Sequence, residues 1–239
     1  MIGLGTIINT AAIVLGGILG GLFGRFLKES IQQTLMTVCG VSVLFIAVSG
    51  ALEGMLRVEN GVIVSSGAML TVLCLAIGAF VGELLNIEGG FERFGEFLKV
   101  KTGNAKDKGF VNAFVTASLT VCIGAMAIVG SIQDGIAGDY SILATKAVLD
   151  LIIIMVMTCS MGKGAVFSAV PVAIFQGSIT LLAGLIRPIM TPEALGNLSL
   201  IGNILIFCVG INLVWGKKVK VANLLPAIAA AVIAAFLPI

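Results

Sequence analysis

Histidine is absent from this chain, and with it go the commonest transition-metal ligand and the usual general base at neutral pH. Cysteine is scarce and odd in number: Cys39, Cys74, Cys122, Cys159 and Cys208 all fall inside apolar runs. None is spaced as CxxC or CxxH, so the thiols read as small core-filling residues rather than a disulfide framework or a zinc site. Charged residues make up only 11% of the chain, against 59% hydrophobic. The net charge of +2 gives no sign of a nucleic-acid partner. With no nucleophile elbow and no metal-ligand spacing, an enzyme is not expected. The opening Met1-Ile2-Gly3-Leu4-Gly5 has no basic segment, so the first apolar run reads as a retained helix rather than a signal peptide.

What the chain has in excess is apolar length. Mean hydropathy is +1.17, and runs of about 20 apolar residues, enough to cross roughly 30 Å of hydrocarbon, recur from end to end. Backbone groups find no water there, so the runs must be helices. The expected fold is an all-α polytopic membrane protein, one integral domain over residues 1–239, with the bilayer as its first partner. Eight spans are expected near 4–24, 33–52, 62–85, 110–131, 141–160, 165–186, 196–215 and 222–238.

Basic residues orient these spans. Eleven lie in the loops after spans 1, 3, 5 and 7: Arg25, Lys28, Arg93, Lys99, Lys101, Lys106, Lys108, Lys163, Lys217, Lys218 and Lys220. The loops after spans 2, 4 and 6 hold only Arg57 and Arg187. The positive-inside bias makes the first group cytoplasmic, so both termini face outward. Within the long segment 88–109, Phe91, Phe94 and Leu98 recur at helical spacing among Glu92, Arg93, Glu96 and Lys99. That pattern predicts an amphipathic helix on the cytoplasmic face.

A repeat is legible in outline. Gly5-Thr6-Ile7-Ile8 of span 1 answers Gly177-Ser178-Ile179-Thr180 of span 6, and Val38-Cys39-Gly40 of span 2 answers Leu200-Ile201-Gly202 of span 7. Ala68-Met69-Leu70-Thr71 of span 3 answers Leu224-Leu225-Pro226-Ala227 of span 8. Spans 1 and 6 run in opposite directions, so repeats at 1–87 and 161–239 would be inverted around a central pair at 110–160. Inverted repeats are the usual plan of secondary transporters, with the site near mid-membrane.

Lys146 and Asp150 carry the strongest chemical signal. They lie four residues apart, on one helix face, deep in the apolar stretch from Ile142 to Cys159. Ionisable side chains near a bilayer centre cost roughly 2.5–3.5 kcal/mol each even on lenient scales, and they are usually paired and functional. Asp150 is the candidate proton or cation site, with Lys146 as counter-ion or anion contact; a buried pair that only fixes packing is the alternative. Span 4 adds Gly124 and Gly130, each weakening the helix by about 1 kcal/mol relative to alanine, and the oxygens of Ser131, Gln133 and Asp134. A loosened helix there would expose carbonyls suited to a cation or small polar solute. Among the polar residues at membrane depth, Asn and Gln cost more to leave unpaired than Ser or Thr; Asn9 and Gln176 join the candidate site, Gln176 following Pro171 and preceding Gly177. Gly16, Gly17, Gly20, Gly21 and Gly24 permit a close helix contact, either inside the chain or in a homodimer seam. Asp139, in Gly138-Asp139-Tyr140-Ser141, reads as a helix cap.

Gly124-Ala125-Met126-Ala127-Ile128-Val129-Gly130-Ser131-Ile132-Gln133-Asp134-Gly135, followed by Gly138-Asp139, Lys146 and Leu149-Asp150, carries a resemblance. With Gln176-Gly177 and Gly5-Thr6-Ile7-Ile8-Asn9, it resembles the YdfK/YqgA-like family of bacterial inner-membrane proteins over essentially the whole chain. A proline is expected in relatives where Ala125 stands. The resemblance implies a bacterial multi-span membrane protein with a transport role and supplies no substrate. The leading expectation is therefore a transporter of a small solute or ion, coupled to H+ or Na+ and without a bound cofactor. A channel, or a scaffold or sensor that moves nothing, are the other readings.

Overall fold

The computed structural model describes residues 1–24, 26–59 and 61–237, with Glu59 and Ala125 by backbone alone. Arg25, counted toward the orientation, and the end of the eighth expected span at 238 lie outside the described residues, as does the Ala125 side chain.

The chain is all-α apart from one hairpin. Its helices are α1 (Leu4–Gly24), α2 (Glu29–Met55), α3 (Ala68–Leu85), α4 (Ile87–Lys101), α5 (Phe110–Cys122), α6 (Ala125–Ala137), α7 (Ser141–Met161), α8 (Ala169–Leu181), α9 (Ala183–Ile186), α10 (Pro192–Trp215) and α11 (Pro226–Ala234). Single 3-10 turns, Lys163–Ser168 and Val221–Leu224, lead into α8 and α11. Among the described residues six helices are long and apolar enough to cross a bilayer, counting Lys163–Leu181 as one, or seven when the bent pair α5–α6 is counted as a single span. The membrane class expected from composition is what the chain adopts.

Three expected boundaries differ. Residues 62–65 do not open the third span: Val62–Ser65 (β2) pairs antiparallel with Leu56–Glu59 (β1), Glu59 facing Val62. Apolar and charged residues alternate along Leu56-Arg57-Val58-Glu59, and β-branched Val62-Ile63-Val64 follows the Gly61 turn (φ +78°), a pattern that suits a hairpin better than a helix. The fourth span is two helices rather than one. The eighth is a 3-10 turn followed by the nine-residue α11, and the apolar stretch Val221–Ala234 is shorter than a full crossing.

The chain forms two compact units, with α2 passing from one to the other at Cys39–Gly40. The first comprises residues 1–39, 89–122 and 126–186. In it α1 lies parallel to α7 at very close range. Cβ atoms added at Gly16 and Gly20 would stand 2.4 Å from the Leu151 carbonyl oxygen and 2.3 Å from that of Met155. Only glycine admits such backbone approach, so the glycine stripe of α1 is occupied inside the chain, by α7 and, at Gly17, by Val166. Against α8 the direction reverses: Thr6 meets Thr180, Asn9 meets Gln176, and Gly17 meets Val166.

The bent pair belongs to this unit, and its ends fix its course. Phe110, at the start of α5, packs against the tilted ring of Phe167 and abuts Gly164, just past the end of α7. Asp134, near the end of α6, bonds the start of α1. The pair therefore covers the full length of the α1–α7 pair, with its 62° bend in between. α4 rests on α5 through Phe94, edge-on to Phe114 at 5.8 Å. Phe97 and Val100 of α4 stay exposed.

The second unit comprises residues 40–88, 123–125 and 187–239. α2 and α10 pack antiparallel: Gly40 meets Val214, Gly50 meets Asn203 and Gly54 meets Leu200. α3 packs antiparallel on the 3-10 turn and α11, Gly78 against Ala227 and Gly82 against Asn223. Asn212 closes the turn after α10 by accepting from the Lys218 and Val219 amides. The start of α4 is clamped to the second 3-10 turn: Asn223 Oδ1 accepts from the Glu88 amide, and the buried Glu88 carboxylate accepts from the Ala222 amide and pairs with Lys217.

Candidate functional site

Why the α5–α6 span breaks is local. Gly124 adopts φ +146°, a conformation that L side chains rarely reach, and the helix stops at Cys122 and resumes at Ala125. The last carbonyls of α5 are thus left without intrahelical donors, and they form the negative end of the helix dipole. Lys146 answers this. From α7 its ammonium donates to the Val121 carbonyl at 2.8 Å and to Asp150 Oδ2 at 2.5 Å. Both side chains are buried, at 6% and 3% exposure. Asp150 lies near the middle of the 21-residue α7, a helix about 31 Å long at 1.5 Å per residue. The pair therefore sits at mid-span, joined to a helix end that exists only because α5 stops there.

Two amides extend the network. Asn9 of α1 lies within side-chain hydrogen-bonding reach of Asp150. Its Nδ2 donates to Gln176 Oε1 of α8 at 3.3 Å. Both amides are wholly buried, yet Asn9 Oδ1 and Gln176 Nε2 have no partner among the described residues. One turn further along, the Thr6 and Thr180 hydroxyls stand 3.4 Å apart. A continuous polar line thus crosses four helices: the Val121 carbonyl, Lys146, Asp150, Asn9 and Gln176. A buried donor and a buried acceptor left open at one point of it are costly, at about 1–3 kcal/mol each, unless something else fills them.

The span 4 residues divide differently from the sequence expectation. Asp134 is fully buried and faces the first turn of α1: Oδ1 accepts from the Gly3 amide at 3.1 Å and Oδ2 from the Gly5 amide at 2.9 Å. It caps a neighbouring helix, satisfying donors that α1 cannot satisfy itself. Ser131 is buried and turned back on its own helix, donating to the Ala127 carbonyl. Gln133 is exposed. Gly130 is a packing notch, where a Cβ would stand 2.9 Å from Leu143. α8 runs through Gly177 unbroken, and a Cβ there would meet nothing within 4 Å, so Gly177 neither breaks nor packs the helix. Pro171 falls in the first turn of α8, where a missing amide proton is harmless.

The structure therefore brings together Lys146, Asp150, Asn9 and Gln176 and sets Ser131, Gln133 and Asp134 apart from them. The Val121 carbonyl was not foreseen, because a backbone group has no letter of its own; the signal that led to it was Gly124. Thr6 and Thr180 could have been found by their place one turn from Asn9 and Gln176. Among the described residues no three of His, Cys, Asp or Glu converge as a metal site, and all five cysteines are free thiols.

Comparison with known proteins places the chain. Residues 4–236 match the family described as "Protein of unknown function (DUF554)". The chain is 29% identical to "Uncharacterized membrane protein YdfK" of Bacillus subtilis (strain 168), over 94% of its own length and 92% of that protein. It is 28% identical to "Uncharacterized protein YqgA" of Escherichia coli (strain K12), over 94% and 93%. No solved structure matches it.

Proposed function

The chain belongs to the DUF554 family, and we propose that it carries a small polar solute or ion across the bacterial inner membrane, with its binding site at the Lys146–Asp150 centre. The observation that carries this reading is the open pair of hydrogen-bonding atoms, Asn9 Oδ1 and Gln176 Nε2, beside a mid-span ion pair at a helix break. A broken helix that turns carbonyls toward a cavity is the arrangement transporters use. In this reading Asp150 takes the coupling ion, H+ or Na+, and Lys146 is its resting counter-ion.

The packing directions support an inverted repeat. In the matching of spans 1, 2 and 3 with 6, 7 and 8, each helix lies antiparallel to its own counterpart: α1 on α8, α2 on α10, α3 on α11. A two-fold axis in the membrane plane requires mates of opposite direction. The basic-residue asymmetry supports a cytoplasmic side with α4 along it and the N-terminus outside.

The test is flux. Wild type and Asp150→Asn are reconstituted in liposomes, and uptake of alkali cations, small organic acids, amino acids and amines is followed under imposed proton and sodium gradients. Gradient-driven, saturable uptake by wild type, reduced at least tenfold in Asp150→Asn, is the expected result. Unsaturating flux would mark a channel instead. Uptake that Asp150→Asn leaves unchanged would remove the proposed site.

A further inference from the structure

The ammonium of Lys146 sits where a bound metal cation would sit. Its immediate partners are oxygens of two kinds: a carbonyl at the open end of α5, 2.8 Å away, and a carboxylate oxygen of Asp150, 2.5 Å away. Asn9 stands beyond them, its side chain within reach of the Asp150 carboxylate. Carbonyl, carboxylate and amide oxygens are the ligands of hard cations, and the negative end of the α5 dipole adds to the attraction. Nothing in the chain supplies imidazole, and among the described residues no three of Cys, Asp or Glu converge as a metal site.

Charge selects the valence. Asp150 contributes one negative charge, and Lys146 cancels it. A monovalent ion in place of the ammonium would leave the mid-span balance unchanged, whereas a divalent ion would leave a net positive charge inside an apolar span, which is expensive.

We infer that Lys146 is a tethered cation occupying an alkali-metal position built from the Val121 carbonyl and Asp150, and that removing its ammonium turns this position into one that binds sodium or potassium. The inference deepens the transport reading, since it names the ion class of the same centre, but binding can be measured whether or not anything is carried. The aliphatic stem of Lys146 leaves α7, so shortening it to a methyl group frees both the charge position and the volume around it. Asp150 then becomes a buried carboxylate without a counter-ion, which either takes a proton or is balanced by an alkali cation in the vacated position.

The full chain is purified in detergent as wild type, Lys146→Ala, Lys146→Met and Lys146→Ala/Asp150→Asn. Thermal midpoints are recorded against NaCl and KCl, with choline chloride as the ionic-strength control and MgCl2 as the divalent control. Lys146→Ala is expected to rise by several degrees, saturably, with sodium or potassium and not with choline. Wild type should need at least tenfold more salt for any comparable rise, and the double variant should not respond. Lys146→Met guards against a specific failure of the alanine variant. Overturning results are folded Lys146→Ala and Lys146→Met that no alkali cation moves, an equal response in the double variant, or failure of both single variants to be recovered even in sodium or potassium buffer, where the ion should restore the balance. Cation binding by Lys146→Ala without solute uptake by wild type would strike the transport reading and leave this one standing; uptake without binding would do the reverse.

Discussion

Asp134 and Asp150 are both buried in the same unit, at 0% and 3% exposure, and they solve the problem of a buried carboxylate in opposite ways. Asp134 is held by two backbone amides at the first turn of α1, donors that cannot leave without unwinding the chain. Asp150 is held by an ammonium on a flexible stem and by the side chain of Asn9, partners that can swing away or be replaced. A charge fixed by backbone is a structural joint. A charge fixed by side chains, next to unfilled donor and acceptor atoms, is one that can exchange its partner.

The sharpest way to break this contrast is to remove one member of the mobile pair. Asp150→Ala leaves the Lys146 ammonium buried with only a carbonyl, and should destabilise the fold by about 3–5 kcal/mol, the usual penalty for one orphaned charge of a buried pair. Replacing both residues, as Lys146→Met/Asp150→Leu, should recover most of that loss while abolishing uptake. Chemical denaturation in detergent separates the two effects. If the double variant is as unstable as the single one, the pair is a joint like Asp134 and the contrast fails.

Asp134 comes next. Asp134→Ala leaves two amide groups of the α1 turn without acceptors, and a loss of about 1–2 kcal/mol is expected, the usual worth of a helix cap. Asp134→Asn keeps an acceptor oxygen and should recover part of it. No cation should rescue either variant, because the missing partner is an acceptor rather than a positive charge. Sodium-dependent recovery of Asp134→Ala would mean that this carboxylate, too, belongs to an ion site.

The spacing of α1 on α7 ties the two aspartates together, since α1 carries both the capped turn and Asn9. Gly16→Ala would place a methyl group 2.4 Å from the Leu151 carbonyl, one residue past Asp150. Backbone must shift, at about 1–3 kcal/mol for overpacking. Uptake should fall more than stability, because Asn9 would be drawn off Asp150 while the fold relaxes around the new volume. Gly21→Ala, where the nearest atom lies 4.0 Å away, is the control and should do little. Equal loss of stability in both would show that glycine content, not the close approach, matters.

How much of this could be read in the sequence follows from what each signal is made of. The spans were legible because hydrophobic length is additive along the chain, and the Lys146–Asp150 pair because two charges in an apolar run have no other explanation than pairing. Gln133 and Asp134 are adjacent letters, yet one is exposed and the other buried; their helix phase depended on the break at Gly124, which no periodicity could place. The second strand of the hairpin, 62–65, reads as the start of a span because Val62, Ile63 and Val64 are apolar in either structure. Gly177 looked like Gly124, but a glycine breaks a helix only where nothing around it enforces the helical path.

A third aspartate gives the smallest effect and the finest discrimination. Asp139 is exposed in the turn before α7, where its carboxylate accepts from the amide and hydroxyl of Ser141. It does a cap's work one residue ahead of Tyr140, the N-terminal flanking residue of α7. Those hydrogen bonds hold its carboxyl below the ordinary value of 3.8. A depressed folded value means that the stabilisation is complete above the unfolded value and disappears as pH falls through the folded one. The difference in thermal midpoint between wild type and Asp139→Asn should therefore be small and constant from pH 7 down to about 5, and close below about 4. Salt should screen it, as it does any exposed charge. Asp134→Asn compared with wild type should show no such salt dependence, because its partners are buried amides. If the two variants respond alike to salt, burial does not distinguish these caps, and the separation between a backbone-held joint and an exchangeable centre would rest on Lys146 alone.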